Sequence, residues 1–126
     1  EKLFLLAGVN DISHDLTADS IVSMIRMTVK RIQRESPDTK LYLQSLLPFD
    51  ESFGRYKKLT GKTDMVPEIN AQLEVLAKDN KITFINLFPL FTEKGTNVLR
   101  KELTSDGLHL NEEGYKIWVK ALKKKM

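Results

Sequence analysis

Leu41-Tyr42-Leu43-Gln44-Ser45-Leu46-Leu47 is a short apolar run that does not alternate cleanly with polar residues over its length. A strand with one wet face would alternate, so a near-continuous run fits a strand buried on both faces, as in a parallel sheet covered by helices. Two further runs of the same kind flank it, at residues 3–7 and 82–88. Between them the apolar period changes. Over residues 19–35, Val22, Ile25, Val29 and Ile32 recur at steps of three and four, while Arg26, Lys30, Arg31 and Arg34 take the other side. Thr17 is placed to cap that helix, and Ser36-Pro37 ends it. A second helix is predicted over residues 65–79, with Val66, Ile69, Leu73 and Leu76 on one face and Asp64 as its cap. A third is predicted over residues 112–125, with Asn111 as cap and Tyr115, Trp118, Val119 and Leu122 inward. Leu110 and Tyr115 have the spacing of a hydrophobic staple. The order β-α-β-α-β-loop-α is that of an α/β fold with parallel strands and helical crossovers.

Two connections are long for this architecture, residues 48–63 and 86–109. Long loops in such folds are commonly functional, and both leave the carboxyl ends of strands, where open α/β sheets place ligands. No internal repeat or linker divides the 126 residues, so a single domain spanning 1–126 is expected. With no Cys, a disulfide framework, a thiolate nucleophile and a Cys-ligated metal are excluded. The net charge of +3 comes from the end of the chain. Lys116, Lys120, Lys123, Lys124 and Lys125 lie there, and without them the basic excess disappears. That distribution argues for a solvated helix end and against a nucleic-acid groove. No apolar run approaches the roughly 18 residues that a bilayer span needs.

Chemistry-bearing residues cluster after the first run and before the last helix. Gly8-Val9-Asn10-Asp11 follows the first strand; Gly8 permits a tight exit, and Asn10 offers uncharged N–H donors suited to a developing oxyanion. The same residues also suit a turn whose side chains bond their own backbone. Asp106-Gly107-Leu108-His109 puts an acid and an imidazole on one short turn. The carboxylate can accept from one ring nitrogen and leave the other as a general base, or the pair can serve only as a local cap. His14 lies in Asp11-Ile12-Ser13-His14-Asp15; a metal there needs a third ligand that nothing nearby supplies, so it reads as a surface loop residue and no metal or cofactor is called for.

Taken together, Gly8-Val9-Asn10-Asp11 after a buried strand and Asp106-Gly107-Leu108-His109 about 95 residues later resemble the SGNH hydrolase family, the GDSL-type esterases and lipases. The run from Leu41 to Pro48 looks like that family's central strand. Asp106-Gly107-Leu108-His109-Leu110-Asn111-Glu112-Glu113-Gly114-Tyr115 is similar to its closing block. The resemblance covers essentially the whole chain. It implies a three-layer α/β/α, flavodoxin-like fold and hydrolysis of acyl esters through a serine nucleophile. Carried over, Asn10 is the oxyanion-hole asparagine, Asp106 the triad acid and His109 the general base, with Gly8 and Asp11 supporting the Asn10 loop.

The family's Gly-Asp-Ser block and its oxyanion-hole glycine precede the Asn10 segment and have no counterpart here. The resemblance therefore implies a C-terminal two-thirds of the domain, with the serine outside this chain and the 126 residues inactive alone. Ser45 lacks the glycines of a nucleophile elbow and is expected to be structural or to line the pocket. The segment 49–62, with Phe49, Phe53, Arg55, Tyr56 and Lys57, is expected to wall the pocket and supply sugar-stacking rings. The implied substrate is a small-molecule or carbohydrate ester, O-acetyl groups first, and the implied setting is bacterial, secreted or periplasmic. A non-catalytic α/β fragment or ligand-binding module is the alternative. A nucleotide binder is disfavoured, because no Gly-rich loop follows a strand.

Overall fold

A computed structural model describes residues 2–6, 12 and 14–125. Among these residues, three parallel strands form one sheet in the order β1 (Lys2–Leu5), β2 (Lys40–Gln44), β3 (Thr83–Ile85). Phe4 pairs with Tyr42 and Leu5 with Leu43 on one side of β2; Leu43 pairs with Phe84 and Gln44 with Ile85 on the other. Because side chains alternate along a strand, the central strand feeds two cores. Leu41 and Leu43 join Leu5 and Phe84 beneath α1 (Ala18–Glu35) and α2 (Met65–Asp79). Tyr42 joins Phe4 and Ile85 on the opposite face, with Leu87, Phe91, Leu99 and Leu103, under α4 (Glu112–Lys125). The result is an α/β fold with helices on both faces of a parallel sheet.

The strands are shorter than the apolar runs that announce them, for a specific reason. Past Gln44 the ladder makes one more backbone bond, Ser45 N donating to Ile85 O at 2.9 Å, and stops at Leu46, whose N–H and C=O find a side-chain partner. The buried Asn70 of α2 accepts from Leu46 N at 2.7 Å and donates to Leu46 O at 3.1 Å, standing in for a neighbouring strand. Likewise β3 ends at Ile85, and the amides of Leu87 and Phe88 donate to Ser45 Oγ as the chain enters the short α3 (Phe88–Phe91). The first strand is described only as Lys2–Leu5; Ala7 lies outside the described residues.

The helices match their periodicity closely. Thr17 Oγ1 accepts from Ser20 N at 3.1 Å, and Ile21, Val22, Ile25 and Val29 are buried. Asn111 Oδ1 accepts from Gly114 N at 3.1 Å. Asp64, by contrast, does not cap α2. It is itself in a helical conformation (φ −78°, ψ −7°), and its Oδ1 accepts from Asn97 Nδ2 instead.

On α4 the inward face is rotated from the expected one. Trp118 and Leu122 pack inward with Ile117 and Ala121, but Tyr115 and Val119 are about half exposed. Gly114 sets this phase. A Cβ there would lie 2.9 Å from Leu110 Cβ and 3.0 Å from Leu103 O, so the backbone of α4 rests directly on that segment. Leu110 therefore packs on Gly114 rather than stapling Tyr115, which stacks along Trp118.

Candidate active site

The two long connections beyond β2 and β3 are stitched to each other. Phe49 pairs with Val98, Leu99 N donates to Phe49 O, and Asp50 N donates to Gly107 O at 2.7 Å. These bonds bring the 48–64 segment, with short 3-10 turns at Glu51–Phe53 and Lys57–Leu59, against the turn that carries Asp106 and His109. Glu51 Oε2 braces the far end of that segment by accepting from Gly61 N and Thr63 Oγ1.

The acid–imidazole turn is tightly determined. Thr104 pairs with Leu110, and the buried Thr104 hydroxyl donates to His109 O at 2.7 Å while accepting from Gly107 N at 3.0 Å. Gly107 has φ +90°, and a Cβ on it would sit 2.5 Å from Asp50 O, so the turn closes only with glycine at this position. That geometry aims the Asp106 side chain back along the turn. Its Oδ1 accepts from the amides of Leu108 at 2.9 Å and His109 at 2.8 Å. Its Oδ2 faces His109 Nδ1 at 2.7 Å and accepts from the Tyr56 hydroxyl at 3.0 Å. Burial pushes the Asp106 carboxyl up. The His109 ring, the two amides and the Tyr56 hydroxyl outweigh it and hold the group well below the usual carboxylate range.

The carboxylate side chain is 18% exposed and the imidazole 68%. A charged acid held at the edge of the protein thus faces a ring that is mostly exposed. An ionised carboxylate at Nδ1 favours the tautomer with its proton there, leaving Nε2 as the proton acceptor. An imidazole held in this way can act as a general base. Among the described residues no group of three His, Cys, Asp or Glu side chains could hold a metal ion.

Gly8, Asn10 and Asp11 lie outside the described residues. Ser45 is fully buried, its hydroxyl accepting the two amides at the entry to α3, which gives it the structural part of its expected role. Phe49 is 1% exposed and packs in the first core, where its bridge to Val98 pulls it under the loop. Phe53 lies against Gly107 and is partly exposed.

Tyr56, expected only as a ring on the pocket wall, puts its hydroxyl on the acid–imidazole pair. Its partner is 50 residues away, and no local spacing signals such a contact. Asp50 and Thr104 were also missed. Thr104-Ser105-Asp106 has the composition of a Ser/Thr turn, and that is the one available hint.

Comparison with known proteins agrees with this architecture. Residues 2–117 match the GDSL-like Lipase/Acylhydrolase family. Among solved structures, a Streptococcus pneumonia protein provisionally described as a platelet activating factor superposes with a TM-score of 0.89 at 29% identity, over 99% of this chain and 59% of that one. A GDSL-like lipase from Bacteroides thetaiotaomicron gives 0.81 at 26% identity, over 97% and 60%. The acetyl xylan esterase AlAXEase gives 0.78 at 20% identity, over 99% and 65%, a likeness of fold. The chain thus spans about three-fifths of the length of these relatives. No curated protein matches the chain. The family match runs from the first described strand into α4 and takes in the Asp106–His109 turn; the chain belongs to the GDSL-like lipase/acylhydrolase family.

Proposed function

We propose that the protein containing this chain hydrolyses acyl esters by serine–histidine–aspartate chemistry, with the serine supplied from outside these 126 residues. The observation that carries this reading is the 2.7 Å approach of Asp106 Oδ2 to His109 Nδ1, on a carboxylate whose Oδ1 is already occupied by two amides. His109 Nε2 takes the proton of the attacking serine as its oxygen bonds to the ester carbonyl. Asp106 stabilises the imidazolium, and Asn10 donates to the tetrahedral oxyanion. Collapse breaks the C–O bond to the alcohol, which leaves with the proton from Nε2. Water then repeats the sequence on the acyl-enzyme and releases the acid.

The substrate class we assign is O-acetyl groups on carbohydrate. Family membership supports an acyl ester, and the partly exposed Phe53 near the acid–imidazole turn supports a sugar ring beside it. The test is p-nitrophenyl acetate turnover and acetate release from an O-acetylated oligosaccharide by the full-length protein. His109→Ala should lower turnover about 10²–10⁴-fold and Asn10→Ala about 10²–10³-fold. Unchanged turnover in both variants would refute the assignment. Acetate release no faster than cleavage of a lysophospholipid would refute the carbohydrate.

A further inference from the structure

Three polar atoms form a closed triangle at the candidate site. His109 Nδ1 is 2.7 Å from Asp106 Oδ2, the Tyr56 hydroxyl oxygen is 3.0 Å from the same Oδ2, and it is 3.2 Å from Nδ1. We propose that Tyr56 is a positioning residue for His109: its hydroxyl and ring edge hold the carboxylate and the imidazole in the one arrangement that leaves Nε2 free. This rests on the esterase reading for its purpose, though not for its geometry.

Counting protons on the triangle assigns each contact. Asp106 is ionised and brings none, so two protons, one from the phenol and one from the neutral ring, serve three edges. If the ring proton sat on Nε2, the Nδ1 lone pair would oppose the carboxylate at 2.7 Å. The Tyr56 hydroxyl could then satisfy only one of those two acceptors. With both protons directed at Oδ2, the acceptor is satisfied twice. The Tyr56 oxygen then presents a lone pair to the flank of the Nδ1–H group, and all three atoms are matched.

Asp106 therefore selects the tautomer, and Tyr56 keeps the selecting atom in place. Oδ1 is tied to the Leu108 and His109 amides, and Tyr56 fixes the remaining freedom, the direction of Oδ2. The ring needs such help because 68% of the His109 side chain is exposed and packing alone does not hold it. Tyr56 supplies a wall as well, its ring meeting the imidazole edge-on at 5.9 Å and 65°. Tyr56 is itself anchored, half-buried against the first core, with its carbonyl accepting from Leu59 N. The charged groups acting on its hydroxyl are Asp106 and, in the opposite sense, Arg55.

The test is nitrogen-15 and carbon-13 NMR of the full-length protein, which reads the imidazole nitrogens and the Asp106 carboxyl directly and does not depend on turnover. His14 provides a second imidazole in the same spectra. In Tyr56→Phe, which keeps the ring, the Asp106 carboxyl should titrate about half a pH unit higher, a roughly threefold change in proton affinity from losing one donor. The Nδ1 proton of His109 should exchange with solvent about tenfold faster, while the His14 signals stay unchanged. Tyr56→Ala, which also removes the edge contact, should go further and bring in the Nε2–H tautomer of His109. The proposal is overturned if Tyr56→Phe leaves the Asp106 midpoint and the His109 proton as in wild type, or if His14 moves in step with His109. Loss of ester turnover in the full-length Tyr56→Phe protein through KM alone, with kcat intact, would also overturn it. Absence of any ester turnover in the wild type refutes the esterase reading and leaves the NMR outcome standing.

Discussion

Replacing Gly107 by alanine tests the geometry on which the Asp106–His109 turn depends. At φ +90° an L side chain is strained by about 1–2 kcal/mol. The added methyl would also sit 2.5 Å from Asp50 O, a backbone atom that cannot swing aside. Relieving that overlap separates the two strands of loop and sacrifices the 2.7 Å bond from Asp50 N to Gly107 O, worth about 1 kcal/mol. The expected destabilisation is about 2–3 kcal/mol. With a urea dependence of about 1–3 kcal/mol per molar, the unfolding midpoint should fall by about 0.7–3 M. Gly54 supplies the control. It too has positive φ, +70°, but open space surrounds the position of its Cβ. Gly54→Ala should therefore cost only the conformational part, about 1 kcal/mol. Urea melts of the two variants followed by circular dichroism make the comparison. A Gly107→Ala variant no less stable than Gly54→Ala would refute the argument that loop contact, rather than backbone conformation alone, makes glycine necessary at position 107.

Acid should act through Asp106. Its carboxyl is held below its unfolded value, so its stabilising contribution is complete above about pH 4 and is lost as pH falls through the lowered folded midpoint. The stability difference between wild type and Asp106→Asn, measured by urea melts, should accordingly shrink below about pH 4, and a difference that grows there would reverse the sign. Asn70→Ala should cost about 2–4 kcal/mol by stranding the buried N–H and C=O of Leu46; a loss under about 1 kcal/mol in the same melts would mean that water replaces the amide.

The helices were legible because their signals are local. The apolar steps over 19–35 and 65–79 and the caps at Thr17 and Asn111 each depend on residues within one or two turns. The phase of α4 was misread because Tyr115 and Val119 are apolar enough to suggest an inward face. The deciding contact, Gly114 against Leu103 and Leu110, is made by the absence of a side chain. Strand ends were overrun for a similar reason: Leu46 and Leu47 continue the hydrophobic run, while the partner that ends the ladder, Asn70, comes from another element. The Asp106–His109 pair could be read because its members stand only three positions apart. Tyr56 could not be assigned its contact, nor Ser45 and Phe49 their depth, since each depends on how the two long connections fold against each other.

That mutual stitching has a kinetic consequence. Loop amides ordinarily exchange their hydrogens quickly, because their bonds open without disturbing the core. Here Leu99 N and Asp50 N cross between the connections, and Arg100 N and Asn111 N close the second one by donating to Phe91 O and Leu103 O. None of these can open without shifting buried Phe49, Phe91 or Leu103. The four amides should exchange together, at a rate closer to that of β2 than to that of a surface loop. The segment bearing Tyr56 and the turn bearing Asp106 and His109 would then open as one cooperative unit, and the imidazole would keep its neighbours through the fluctuations that loosen the rest of the surface.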